Sequence, residues 1–583
     1  MKKVGAVLLD TRGIQKYVFA SNKMKTNIGA SYLVDTIFLT PVHRVLGEMN
    51  LKLPDSDWRV TEELQMVHDE TITTEIAYIG GGNMLLFFRT EGNEVLSVCR
   101  EFVSRWSEKL LVYTPGLQTG AAVDVFDLDD FQNSLNHMYK MLKENQSNIM
   151  PQVDLPYTGL SLECDYNNKT ANIYSQIVKR HVSAEVDAKL RGAEYADDRL
   201  EERYGLLLKH NGKNVQFADD LNLLGYKEGE SYICVIHIDG NNMGVKFSHC
   251  RDIQERKKLS IKVAEAVQTA FSELIQQIKT EFLEKSLYDK YLDMKKLRKE
   301  NTITLPIRPI IIGGDDITFI TPGRLGLQFA DFFIRSANRQ LLLTEEQRQY
   351  FESCAGKDGS QKVRINSNLS CCAGVAIVPA KYPFFRAYSL AEELCANAKK
   401  HSRQDDSSWL DFAVLHGDTY PSLDMLREKQ YKGIPDPVGR SCLMHYGPYR
   451  IDMTVDAPEE IQKKSLRRLF ALRADLQKTH KDITNGKNSL NKIKKLREVL
   501  FRDRHTQEIF LENNNDMVNL LKKERAKEQQ NPNGVDKDIE IKISSDDLWE
   551  KEEMEGNEVI ITRFIDAIEI EDFIIPGLEG NVK

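Results

Sequence analysis

Pro309-Ile-Ile-Ile-Gly-Gly-Asp-Asp-Ile-Thr-Phe-Ile320 reads as strand, tight turn, strand. Two short apolar runs flank Gly313-Gly-Asp-Asp316, and the glycines supply the backbone freedom that a hairpin turn demands. Upstream, Tyr232–Ile238 is a second apolar run, and it ends at Asp239. Its length and flanks mark a buried strand. A helical pattern over Arg256–Phe282 separates the two, and a strand at Ser370–Val378 and a helix at Arg386–Lys400 follow.

The same order occurs earlier in the chain. Val4–Leu9 runs into Asp10, and Asn27–Met49 has helical spacing. Ile76–Ile79, Gly80-Gly-Gly-Asn83 and Met84–Phe88 form a hairpin, followed by a strand at Gln118–Val125 and a helix at Phe131–Leu142. Asp10 to Gly80 is 70 positions and Asp239 to Gly313 is 74. The last strands carry Gly120-Ala-Ala and Gly374-Val-Ala, which align on their glycines. A duplicated unit of this length outweighs any single motif. The expected fold class is α+β: two ferredoxin-like palm domains, each a four-stranded antiparallel sheet backed by two helices, plus a C-terminal helical domain.

The organisation expected is a first palm at 1–147, an inter-palm linker at 148–228, a second palm at 229–420 and a mainly helical domain at 421–583. The linker reads as polar and irregular. In the last region Pro458–Phe510 puts Leu466, Leu469, Leu472 and Leu476 on one side and many Lys and Arg on the other, and Ser544–Phe573 is acidic.

Bulk properties exclude some classes. The 583 residues carry a net charge of −8, so the chain as a whole is not a generic polyanion binder. Its nine cysteines include no C-x-x-C pair and sit mostly in apolar runs, as reduced core residues of an intracellular protein do. No apolar stretch approaches the roughly 20 residues that span a bilayer. The run after Met1-Lys-Lys stops at Asp10, too short for an export signal. A cytoplasmic protein without a membrane partner is expected.

The chemistry concentrates in the second copy. Two-metal phosphoryl and nucleotidyl transfer places two divalent cations about 3.5–4 Å apart, and magnesium takes hard oxygen ligands, mainly carboxylates, phosphates and water. Asp239 ends one strand while Asp315 and Asp316 lie in the neighbouring hairpin turn. In a palm sheet the three converge, as catalytic residues and as ligands of Mg²⁺ or Mn²⁺ in a two-metal site. Gly240, Gly313 and Gly314 keep side chains clear of a nucleotide, and Lys399 and Lys400 lie within reach of its phosphates. Gly-Gly-Asp-Asp alone is good turn chemistry; Asp239 and the duplicated frame favour catalysis. Copy one is the internal control. It has Asp10, but Gly80-Gly-Gly-Asn83 lacks a carboxylate, so the first palm is degenerate and suited at most to holding a second nucleotide. His237 reads as a packing residue.

Asp239-Gly-Asn-Asn-Met-Gly244, Gly313-Gly-Asp-Asp316 and Ala373-Gly-Val-Ala-Ile377 with Ala398-Lys-Lys400 resemble the second palm of the large polymerase-cyclase subunit of type III CRISPR effector complexes. Asp10-Thr-Arg-Gly-Ile-Gln15, Gly29-Ala-Ser31 and Gly80-Gly-Gly-Asn83 resemble its first palm. The likeness covers about residues 1–420 and, more loosely, the helical region beyond. More distantly, the second palm is similar to diguanylate cyclases. The resemblance implies a nucleotidyltransferase that makes cyclic oligoadenylate or a related cyclic nucleotide from ATP in antiviral defence. It implies RNA and other effector subunits as partners; a homo-oligomer is also compatible with the sequence. Three departures stand out. No HD nuclease domain is expected ahead of the first palm, and His68-Asp69 reads as a stray dipeptide. The inter-palm zinc site is reduced to Cys164. Asn241 stands where an aspartate is often found.

Two rival readings remain at this level. One is a non-catalytic nucleotide- or RNA-binding scaffold subunit, which has no need of converging carboxylates. The other is a templated polymerase, for which no clear finger or thumb is legible. The basic stretch Lys463–Arg504 reads equally as a partner or RNA contact and as a solvated helix.

Overall fold

The computed structural model describes the chain except for residues 1–2, 61–62, 90–94, 148–156, 228, 230, 356–363, 404, 418–419, 452–458, 482–488, 529–542, 555–556 and 577–583. The first palm comprises β1 (Lys3–Arg12), α1 (Met24–Thr36), β2 (Thr74–Gly80), β3 (Asn83–Phe88), α2 (Val95–Tyr113), β4 (Gln118–Asp127) and α3 (Phe131–Ser147). Helix α4 (Ala184–Tyr204) follows. The second palm repeats the order with β5 (Tyr232–Gly240), α5 (Ile253–Lys279), β6 (Arg308–Gly313), β7 (Asp316–Pro322), α6 (Gly326–Ala337), β8 (Cys371–Pro379) and α7 (Phe384–Ser402). Each copy thus contains a helix between hairpin and last strand, α2 and α6, in addition to the elements expected.

The first sheet has strand order β2-β3-β1-β4, and the second begins identically with β6-β7-β5-β8. The match extends to detail: β2 slips register between Ile76 and Tyr78, and β6 between Pro309 and Ile311, the same distance before the turn. Successive side chains of a strand point to opposite faces, and β1 feeds two cores. Val7 and Leu9 join Phe102 and Trp106 of α2, while Val4, Ala6 and Leu8 join Phe131, Leu135 and Met138 of α3. Burial on both faces explains why the strands read as continuous apolar runs.

The registers correct one alignment. Gly120 lies opposite Asp10, whereas Gly374 lies opposite His237, two residues before Asp239. Gly120 therefore corresponds to Cys372. A Cβ on Gly374 would sit 1.8 Å from the Ala391 carbonyl oxygen, so this glycine admits α7 onto the sheet.

The second sheet is wider than the four strands expected. After α7 the chain adds β9 (Trp409–Val414), parallel to β8, and then β10 (Tyr449–Arg450). The inter-palm segment is likewise not irregular throughout. Helix α4 packs on α1, where a Cβ on Gly29 would lie 1.7 Å from the Lys189 carbonyl oxygen. Helices dominate beyond β10, and a small sheet pairs Cys442–Leu443, just before β10, with Asn557–Ile561 and Glu550–Met554. The acidic stretch is folded: Asp566 is fully buried and accepts from the backbone of Tyr446, from the Tyr449 hydroxyl and from His445. Several basic residues of the helical stretch pair with it, Lys464 with Glu552 at 2.5 Å and Arg473 with Glu571 at 3.2 Å.

The two palms meet at their hairpins. Helix α1 packs against β6 and α5 against β2, a pseudo-twofold exchange. Gly314 and Gly81 both have left-handed backbone, and a Cβ added to Gly314 would lie 3.4 Å from the Gly81 backbone nitrogen.

Candidate active site

Strand pairing brings the acidic residues together. Asp316, the first residue of β7, lies directly opposite Asp239 near the end of β5. Asp315 sits one residue back in the turn, and its carbonyl oxygen accepts from the Gly240 backbone N–H at 3.1 Å. A Cβ on Gly240 would lie 2.8 Å from Asp315 Cβ. The space beside Gly240 is thus taken by Asp315, not left open for a nucleotide as expected. Beside Gly313, by contrast, a Cβ would meet nothing within 4 Å. Gly314 takes φ +57° and turns toward the other palm.

Each carboxylate has its own surroundings. Asp239 Oδ2 accepts from Lys399 Nζ at 2.5 Å, and the same ammonium donates to the Gly240 carbonyl oxygen at 3.2 Å. Burial disfavours that ammonium, but Asp239 outweighs burial and holds its pKa above the usual lysine value. Burial first, then the charge of Asp239, pushes the Asp315 carboxyl up to about 7. Asp316 Oδ1 lies 3.3 Å from His237 Nδ1 but is buried without a well-formed hydrogen bond. His237, read from sequence as packing alone, therefore faces an acidic residue as well as Thr318, at 3.2 Å. Burial opposes protonation of His237, yet Asp316 outweighs it and raises the pKa. Lys400 points outward and is exposed.

The convergence is incomplete. Among the described residues no three His, Cys, Asp or Glu groups stand at the spacing of a preformed metal site. The physical reason is local: Asp239 is engaged by Lys399, and Asp316 leans toward His237. The donor set nonetheless suits a hard cation. It consists of carboxylate oxygens, one of them orphaned and buried, and one carboxyl is pushed toward neutrality by burial and then by the charge of Asp239.

Copy one makes the comparison direct. Asn83 lies opposite Asp10 where Asp316 lies opposite Asp239. Gln146, near the C-terminal end of α3, donates to Asp10 Oδ2 at 2.5 Å. Lys399 occupies the matching place on α7: 26 residues separate Gly120 from Gln146, and 27 separate Cys372 from Lys399.

Some residues of the site carry no motif in the sequence. The loop after Asp239 is clamped from below by Lys246, which is fully buried and reaches the Asn241 carbonyl at 3.3 Å and Asp406 Oδ2 at 3.2 Å. Asn241 is itself buried, and its amide donates to the Ser407 carbonyl. It points into the fold and not toward the carboxylates, so its difference from aspartate does not alter the acidic face. Tyr388 of α7 packs edge-on against His237 and stacks on Phe19 of the first palm, ring centroids 3.8 Å apart. Such apolar-looking positions give no signal until the helices are placed.

Residues 232–408 match the family described as Cas10/Cmr2, second palm domain. No curated protein matches the chain. Among solved structures, similarity is found to a Csm1–Csm4 cassette in complex with cA4 (10% identity, TM-score 0.45, 86% of this chain and 63% of that one). The Csm1–Csm4 cassette in complex with AMPPNP gives 11% identity and TM-score 0.44, over 89% of this chain and 64% of that chain. Csm1 of T. onnurineus gives 12% identity and TM-score 0.44, over 92% and 66%. The chain thus spans less than two thirds of the length of the first of these. Among the described residues, no helix is long and apolar enough to cross a membrane.

Proposed function

We propose, from the premise that residues 232–408 are a second palm domain of the Cas10/Cmr2 family, that the protein is a metal-dependent nucleotidyltransferase joining ATP into a cyclic oligoadenylate or a related cyclic nucleotide, as a subunit of a type III CRISPR effector complex. The observation that carries this reading is the contrast between the copies. The same sheet, turn and helix donor are built twice, and only the second copy adds carboxylates, Asp315 and Asp316, beside the strand-end aspartate.

Asp239, Asp315 and Asp316 would hold Mg²⁺ or Mn²⁺, and the bound ion would supply charge for the triphosphate and the departing pyrophosphate. The chain's own groups do the positioning. Gly240 lets Asp315 close over the end of β5. Lys246 and Asp406 fix the loop that follows Asp239. Gly313 leaves an uncluttered surface at the turn, and Lys399 supplies a cation at the edge of the acidic group. The first palm, joined through the hairpins, would help to hold a second nucleotide without a competing acidic turn.

The scaffold alternative is kept by one observation: the ammonium of Lys399 already neutralises part of the acidic group. Incubating the protein separately with ATP, GTP, CTP and UTP, with Mg²⁺ or Mn²⁺ and with or without RNA, and identifying products by mass spectrometry, tests the proposal. A cyclic adenylate product supports it; nucleotide binding without any new phosphodiester supports the scaffold.

A further inference from the structure

The two palms present a matched pair of donors on their strand-end aspartates. In the first, the neutral amide of Gln146 donates to Asp10. In the second, the ammonium of Lys399 donates to Asp239 and to the Gly240 carbonyl. The backbone arrangement is common to both, so geometry alone does not call for a charge. What differs is the neighbourhood. Asp10 faces Asn83, whereas Asp239 faces Asp316 with Asp315 beside it. The positive donor stands only in the copy whose turn adds two further carboxylates, and it stands on Asp239.

That placement has a consequence for binding. A divalent ion entering the acidic group must displace the ammonium from Asp239 and then tolerate it nearby. At a few ångström, repulsion between like charges is large even with substantial screening. The side chain is 30% exposed and sits in the last turn of α7, so it can swing without unfolding anything. A triphosphate would offer the displaced ammonium a stronger anionic partner than it leaves.

We infer that Lys399 is a placeholder cation: it holds Asp239 in the ligand-free protein and yields it only as a nucleoside triphosphate binds, so that metal loading is coupled to nucleotide binding. This rests on the reading of the site as a metal-dependent nucleotidyltransferase. The ion pair exchanges partners without any covalent step. By reciprocity, whatever factor the triphosphate adds to metal affinity, the metal adds to triphosphate affinity.

The test measures Mn²⁺ binding by the electron paramagnetic resonance signal of the free ion, with and without α,β-methylene-ATP. Three forms of the full chain are compared: wild type, Lys399→Gln, which copies Gln146, and Lys399→Arg, which keeps the charge. Without nucleotide, Lys399→Gln should bind Mn²⁺ at least about tenfold more tightly than wild type, the scale set by removing one nearby unit charge. Lys399→Arg should stay near wild type. The analogue should tighten Mn²⁺ binding strongly in wild type and weakly in Lys399→Gln. Equal or weaker Mn²⁺ binding by Lys399→Gln overturns the inference, as does an absence of binding in every form at millimolar Mn²⁺. Lys399→Met replaces the glutamine variant if the latter melts early. The two readings fail separately. A gain in Mn²⁺ affinity in a chain that makes no cyclic product discards the cyclase and keeps the placeholder. Cyclic product with unchanged Mn²⁺ affinity in Lys399→Gln does the reverse.

Discussion

Replacing Gly240 with alanine should disable the site by moving Asp315. The new Cβ would lie 2.8 Å from Asp315 Cβ and 3.1 and 3.2 Å from Met243 Cε and Cγ. Carbon atoms rest about 3.5–4.0 Å apart, so something must shift by roughly 1 Å. Met243 is flexible and can give way. Asp315 cannot give way freely, because its carbonyl accepts from the Gly240 N–H and its turn abuts the other palm. Overpacking of this kind costs about 1–3 kcal/mol. At about 2 kcal/mol, melting of a domain of this size falls by roughly 4–8 °C. A displacement of about 1 Å can cost on the order of a hundredfold in rate. Thermal melting and product formation with saturating Mn²⁺ and ATP measure both effects. Gly313→Ala is the comparison, since its Cβ meets nothing within 4 Å; its stability should stay within about 0.5 kcal/mol of wild type. Wild-type melting and turnover in Gly240→Ala, or equal destabilisation in Gly313→Ala, would refute the reasoning.

Asn83→Ala should leave Mn²⁺ binding in the second palm intact, because Gly80–Asn83 offers no carboxylate; a lost site in calorimetric titration would mean that the first palm binds metal after all. His445 lies between Asp411 and Asp566, 3.0 and 3.1 Å away, with the Arg427 guanidinium also on Asp411. Burial opposes its charge, but Asp566 and Asp411 prevail and raise it to about 9 from the ordinary 6.5. Its contribution to stability is present below pH 6.5 and lost as pH rises to 9, at most about 3 kcal/mol at 1.36 kcal/mol per pH unit. Wild type should therefore lose melting temperature over that window more steeply than His445→Gln; parallel profiles would contradict the assignment. Charge reversal at Arg467, Arg468, Lys494 and Lys495 should alter, in a salt-dependent way, the response to a charged partner while leaving Mn²⁺ binding unchanged; wild-type activation and affinity at low and high salt would make this surface an ordinary solvated one.

The strand and hairpin pattern was legible because these strands are buried on both faces and their turns need glycine. The duplication was legible because both copies keep their strand-end aspartate and turn at similar separations. Helix α4 was missed for a physical reason. It packs on α1 through Gly29 and Gly192, and its buried face includes the charged residues Glu185, Asp187 and Lys189, so its sequence lacks an apolar stripe. In sequence the stretch Ser544–Phe573 is marked only as acidic, because a count of charges does not reveal partners; Asp566 is buried and fully engaged. The Gly120–Gly374 alignment failed because two glycines in equivalent strands serve different neighbours, Gln146 in one and the backbone of α7 in the other. In the site, the acidic residues were legible as a motif. The grip of Lys399 on Asp239 and the buried Lys246–Asp406 pair depend on how helices lie over the sheet, which no local pattern encodes.

Under the proposed function, the turn carboxylates of the second palm perform nucleotidyl transfer. The direct measurement compares wild type with the Asp315→Ala, Asp316→Ala double variant, at matched thermal melting, for conversion of ATP to cyclic product followed by mass spectrometry. Wild type should make product and the double variant none. At least half of the wild-type turnover in a double variant that melts normally would contradict it.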